Sequence, residues 1–132
     1  MSRKSDYGIQ KILPCSYEEA LPRVKEALSK QGFGVLTEID VRAVLKKKLD
    51  IDFNKYVILG ACNPAMAHQT LQEEIEIGLL LPCNVIVYEN DMKQTVVSAI
   101  DPVKMLEIVE NRNLTPNAEK VKLMLEKVIS SL

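Results

Sequence analysis

The sequence has no apolar leader, no long apolar run, no excess of charge of either sign and only three cysteines. Net charge is −1, from 17 basic and 18 acidic residues. Phosphate binding depends on a basic patch. The one candidate, Lys46-Lys47-Lys48, reads as a solvated face, so no nucleic-acid partner is expected. The longest apolar runs, residues 77–83 and 85–88, fall far below the roughly 18 residues needed to span a bilayer, which argues against a membrane partner. The start, MSRKSDYGIQK, lacks the apolar stretch of about 7–15 residues that a signal peptide requires. Three cysteines are an odd count and too few for a disulfide framework. A reduced, cytoplasmic protein is the expectation. Low-complexity segments, linkers and repeats are also absent; the echo of Leu13-Pro14-Cys15 in Leu81-Pro82-Cys83 is too short to count as one.

What is present suits one soluble domain over residues 1–132, with residues 1–6 polar and frayed. Hydrophobic residues make up 47% and charged residues 27%, an ordinary globular balance. A chain of this size buries roughly two-thirds of its unfolded surface, enough for a core without staples.

Periodicity and capping signals divide the chain into alternating elements. Residues 7–13 read as a strand. Ser16-x-x-Glu19 is a capping box, and Ala20, Leu21, Val24, Ala27 and Leu28 follow at helical spacing until Gly32 ends the helix. Pro22 conflicts with that helix and implies a bend or a late start. Residues 33–39 read as a second strand. Asp40 caps a short helix with Val41, Val44, Leu45 and Leu49 as its apolar stripe. Residues 56–61 form an almost continuously apolar third strand. Asn63 then caps a helix with Pro64 at its first position, where the missing amide costs nothing. That helix is expected to reach Ile77, with Ala67, Leu71 and Ile75 buried and Gly78 as its stop. Residues 79–88 read as a fourth strand interrupted at Pro82. Residues 89–93 make a hairpin turn, and residues 94–100 a fifth strand. Asp101-Pro102 and Thr115-Pro116 repeat the cap-plus-proline start. Met105, Leu106 and Val109 are the expected buried face of the first of these helices. Val121, Met124, Leu125, Val128 and Leu132 line the second.

The fourth and fifth strands are joined too briefly for a parallel crossover, so they pair antiparallel. The expected fold is α+β: a mostly antiparallel five-stranded sheet with helices packed mainly on one face.

Several segments together resemble the domain-of-unknown-function 302 family. They are Gly32-Phe33-Gly34-Val35-Leu36 with Glu38-Ile39-Asp40-Val41, then Gly60-Ala61-Cys62-Asn63-Pro64 with Ala67 and Leu71. Gly78-Leu79-Leu80-Leu81-Pro82-Cys83-Asn84-Val85 and Asp101-Pro102 complete the set. Their order and spacing cover about residues 9–108. The resemblance implies a TATA-box-binding-protein-like fold class and small cytoplasmic bacterial or archaeal homodimers. No biochemical activity comes with the resemblance, and the cofactor stays open. Cys15 has no counterpart in the family pattern. A shared fold class does not carry DNA binding with it, and the basic, wedge-bearing face of a minor-groove binder is missing.

Candidate chemistry concentrates in residues 56–89, which hold Cys62, Cys83 and the only histidine, His68. Cys62-Asn63-Pro64 and Pro82-Cys83-Asn84 are polar, turn-shaped steps in the most apolar part of the chain. Cys62 precedes a helix N-terminus, where amides and the dipole favour an anion and a thiolate. The bland reading is that Cys62 and Cys83 are small buried hydrophobes. Cys62, Cys83 and His68 would make a three-ligand metal set, although the spacing is no recognised zinc pattern and a solvent-facing His68 is the simpler expectation. A Cys-His nucleophile pair lacks an identifiable orienting residue. The acidic run Glu73, Glu74, Glu76 reads as a solvated face, and Tyr88-Glu89 as a strand end beside a pocket. Three functions fit: a homodimeric module binding a small molecule or anion, a thiol redox or carrier protein using Cys62 and Cys83, and a structural or assembly protein. Whether any of them includes catalysis is left open by these residues.

Overall fold

A computed structural model of the chain describes residues 5–132. Of the segment expected to fray, residues 1–4 lie outside the described residues. The elements in chain order are β1 (Gly8–Leu13), α1 (Tyr17–Lys30), β2 (Gly34–Asp40), α2 (Val41–Leu49), β3 (Tyr56–Cys62) and α3 (Pro64–Glu73). A 3₁₀ segment (Ile75–Leu80), β4 (Cys83–Glu89), β5 (Thr95–Ile100), α4 (Pro102–Leu106), a 3₁₀ turn (Arg112–Leu114) and α5 (Thr115–Ser130) follow. The strands form one sheet in the order β1-β5-β4-β3-β2, and every neighbouring pair is antiparallel.

Local chemistry sets most helix ends. Ser16 Oγ accepts from the Glu19 amide while the Glu19 carboxylate accepts from the Ser16 amide, the reciprocal capping box. Gly32 (φ +81°) closes α1. Its amide donates to the Ser29 carbonyl and that of Phe33 to the Leu28 carbonyl, a Schellman arrangement. Pro22 lies exposed within a helix that starts at Tyr17, so the late start implied by the sequence does not occur. Asp40, Asn63 and Asp101 cap α2, α3 and α4 through their side chains. Thr115 departs from that pattern. It is the first residue of α5, Leu114 holds the cap position and no side chain caps it.

The pairing register sorts side chains onto two faces. On the inner face Val57, Val87 and Val97 form one cross-strand row, and Leu59, Val85 and Ala99 the next. Ala61 opposes Cys83 in a third. Helices α1 and α5 cover these rows, adding Ala20, Val24, Ala27 and Leu28 from one and Val121, Leu125, Val128 and Ile129 from the other. Each fully buried Leu or Val stabilises the fold by roughly 1.5–3 kcal/mol relative to exposure.

The stripe of α2 is not buried as its periodicity suggests. The helix packs beside β2 and β3 without a buried residue, and Val44 and Leu49 are exposed. Helix α3 also ends earlier than Ile77. Its cap residue, Glu74, is extended (φ −149°), and the chain continues in the 3₁₀ segment. The change of helical phase exposes Ile75 and buries Ile77. The expected fourth strand loses its first residues to that segment and starts at Cys83, after a cis Leu81–Pro82 peptide. Met105, Leu106 and Val109 are half-buried rather than core.

Gly60 marks a close approach on the sheet. A Cβ there would meet Thr37 Oγ1 and, at 2.8 Å, Pro82 Cγ. Gly60→Ala is expected to cost about 1–3 kcal/mol by overpacking. Urea unfolding of this variant and of Thr37→Ala/Gly60→Ala checks it, with part of the loss recovered in the double variant.

Candidate functional site

The third inner row is the narrowest part of the core. Ala61 and Cys83 replace the Val and Leu of the rows before it, while Ala67 from α3 and Ala118 from α5 are equally small. Helix α3 leaves the end of β3 and the 3₁₀ segment leads back into β4, so the chain arches over this end of the sheet. Small side chains beneath an arched chain leave a cavity of about 400 Å³. Phe33 and Leu36 close one side, Met66 and Leu71 the roof, and Met105 and Leu106 of α4 the far wall. The volume falls within the range of ordinary small-molecule sites, roughly 300–1,000 Å³.

Asp101 holds the far wall in place. Its Oδ1 accepts from the amides of Val103 (2.9 Å) and Lys104 (3.4 Å), and its Oδ2 pairs with Lys122 Nζ of α5 at 3.1 Å. Asp101→Ala removes a cap and a charge-assisted contact together. The expected loss is about 2–3 kcal/mol, read by urea denaturation.

Four of the residues singled out in the sequence meet at the cavity: Cys62, Asn63, Pro82 and Cys83. The others do not. Pro64 and His68 are exposed on α3. Asn84 points to the opposite sheet face, where it shares a shallow hollow with Tyr56, Ile86 and Tyr88. Among the described residues no three His, Cys, Asp or Glu side chains converge to hold a metal ion, so Cys62, Cys83 and His68 do not form one. All three cysteines are free thiols. Burial, and then the neighbouring Cys62, push the Cys83 thiol up to about 11. A thiol held protonated in this way is a packing group at neutral pH.

The start of α3 offers little to an anion. Pro64 has no amide proton, Asn63 Oδ1 already accepts from the Met66 amide at 3.2 Å, and the Ala67 amide donates to the Asn63 carbonyl. Only the Ala65 amide is left of the first turn. Sequence reasoning missed the contributions of Phe33, Leu36, Met105 and Asn117. They come from segments far apart in the chain, and each reads locally as ordinary strand or helix.

The opposite face of the sheet lies away from α1 and α5. Ile39, Ile58, Ile86, Ser98 and Gln10 form one row across all five strands. Tyr56, Tyr88, Val96 and Ile12 form another. Tyr56 and Tyr88 stack at 5.4 Å, and Gln10 Nε2 donates to the Tyr88 hydroxyl at 3.4 Å.

The fold and the cavity together define a class: an antiparallel α+β protein with an apolar chamber at one end of its sheet. The sequence matches the domain of unknown function DUF302 over residues 9–132, and the chain belongs to that family. The match runs past residue 108, to the end of α5. A solved structure, that of an uncharacterized conserved DUF302 protein from Bacillus stearothermophilus, is similar at a TM-score of 0.89 and 27% identity. The similarity covers 96% of this chain and 98% of that one. No curated protein matches the chain. No helix among the described residues is long and apolar enough to cross a membrane.

Proposed function

We propose that this protein is a small-molecule binding module whose site is the cavity between the end of the sheet, α3, α4 and α5. The observation that supports it is the convergence of Cys62, Asn63, Pro82 and Cys83, from both polar steps of the sequence, on one largely apolar cavity. Ligand sites are typically of this kind, concave and apolar with few polar groups. The raised Cys83 pKa counts against the thiol redox alternative, which needs a thiolate from each cysteine in turn. The free state of the three cysteines favours a reducing, cytoplasmic setting. Methyl-labelled methionine offers a direct test. Met66 and Met105 line the cavity, whereas Met92 is exposed at a distant hairpin. Titration with the neutral apolar probe N-phenyl-1-naphthylamine should shift the methyl resonances of Met66 and Met105 and leave Met92 unmoved. Unchanged resonances at both cavity methionines would sink the reading.

The partner we infer for the open sheet face is a second copy of this chain. No charged side chain stands in its two central rows, so two such faces meet without charge repulsion. Exposed Tyr7 and Phe53 extend the patch at its margins. Five strands about 4.8 Å apart and some 20 Å long project roughly 500 Å². With side-chain relief and the marginal residues, that approaches the ~600 Å² per partner of a small specific interface. Light scattering should give a dimer mass for the wild type and a monomer mass for Ile58→Lys. A monomeric wild type at micromolar concentration would refute the dimer.

A further inference from the structure

We infer that the cavity selects a neutral, mainly hydrocarbon ligand with one uncharged polar group that meets the Asn117 amide. This rests on the binding reading above and adds the chemistry of the ligand.

The first ground is charge. No Asp, Glu, Lys, Arg or His lines the cavity. The nearest ion pair behind the wall, Asp101 with Lys122, is internally neutralised. A carboxylate or ammonium drawn inside would lose its hydration without gaining a counter-ion, a cost that keeps such groups out of apolar sites. The α3 N-terminus does not compensate, because its amides are consumed or missing except at Ala65.

The second ground is the state of the polar side chains. Asn63 Oδ1 accepts from the Met66 amide, and Thr70 Oγ1 donates to the Met66 carbonyl at 2.8 Å. Thr37 is exposed to solvent, and the side chain that offers a complete amide is that of Asn117. It is half-buried at the cavity, and its amide has no hydrogen-bond partner among the described residues. A primary amide there can donate to, or accept from, one hydroxyl or carbonyl.

The third ground is size and surface. The cavity of about 400 Å³ lies at the lower end of ordinary small-molecule sites. Four sulfur-bearing side chains, Met66, Met105, Cys62 and Cys83, give it a polarisable lining that adapts to a flexible chain.

The test uses the full chain and three ligands that differ only in their head group: 1-decanol, decanoate and decylamine at pH 7.4. Each competes with N-phenyl-1-naphthylamine. Decanol should displace the probe at least tenfold more effectively than either ion. Asn117→Leu should weaken decanol five- to tenfold relative to the probe. Asn117→Asp should raise decylamine affinity relative to decanol. If decanoate or decylamine competes as well as decanol, the neutral-ligand inference is overturned while the binding reading stands. If neither the probe nor any decyl compound binds, both fall.

Discussion

Between pH 8 and 11 the protein should lose about 2 kcal/mol of stability that a Cys83→Ala variant does not lose. Cys83 sits in the inner sheet row opposite Ala61, and burial followed by the charge of Cys62 raises its pKa from 9.0 to about 11. The folded state therefore holds this proton more tightly than the unfolded chain. The stabilisation is complete below about pH 9 and drains away as pH climbs through about 11. Two pKa units correspond to about 3 kcal/mol in total, of which about 2 kcal/mol has gone by pH 11. Tyr17 is pushed to about 12, by burial and then by the Asp40 carboxylate, and adds its own alkaline loss. That part is common to both proteins, so the difference between the two stability curves isolates Cys83. Urea unfolding at pH 8, 9, 10 and 11 measures it. Below pH 9 the variant starts lower because a small cavity replaces the thiol. Parallel curves would show that the thiol is not held protonated. The same shift makes Cys83 about a hundredfold poorer in thiolate than an unperturbed thiol at neutral pH, before limited access is counted. Iodoacetamide should accordingly leave Cys83 unlabelled in the native protein and label it in urea.

Ala67→Trp should abolish probe binding, by at least tenfold in affinity or about 1.4 kcal/mol. Ala67 stands half-buried on the cavity side of α3, and an indole there takes the space a ligand would fill. The wild-type chain contains no tryptophan, so the new side chain is also the only indole fluorophore. Blue-shifted emission would place it inside the cavity; emission typical of water would place it outside. Loss of binding with blue-shifted emission and a cooperative melt ties binding to this space. Retained binding with a blue-shifted indole would move the ligand elsewhere. Overpacking costs about 1–3 kcal/mol, which a fold of ordinary stability tolerates. Ala67→Leu, a smaller filling, should give a partial loss of affinity.

Local chemistry carried much of this fold. Ser16, Asp40, Asn63 and Asp101 satisfy amides within three residues of themselves, so the helix starts they define can be read from neighbouring letters. The short connection between β4 and β5 made antiparallel pairing unavoidable, whereas the almost continuous apolar run of β3 did not say which face is the inner one. What depended on distant partners was not legible. β1 pairs with β5 across some ninety residues of chain, and no local signal records that choice. The stripe of α2 has helical spacing, yet the rest of the chain leaves it uncovered. Ile75 and Ile77 exchange burial because the backbone turns extended at Glu74 and continues with a different helical period.

The candidate site divides in the same way. Two Cys-Asn steps within residues 56–89 fall at the end of the sheet that holds the cavity, and they stand out in sequence as polar turns embedded in apolar strands. Asn84 belongs to one of those steps and His68 follows the other, and both point elsewhere, His68 to solvent from α3 and Asn84 to the open sheet face. Sequence proximity is not direction: a helix turns a side chain away every few residues and a strand reverses it at every residue. The cavity is decided only when Ala61, Ala67, Cys83 and Ala118 gather at one end of the core. The sequence by itself determined the five strands and the principal helices, their antiparallel α+β assembly and the stretch that borders the cavity. Tertiary structure alone decided the strand order, the cavity and its lining, because a void is a property of what surrounds it and no single segment encodes it.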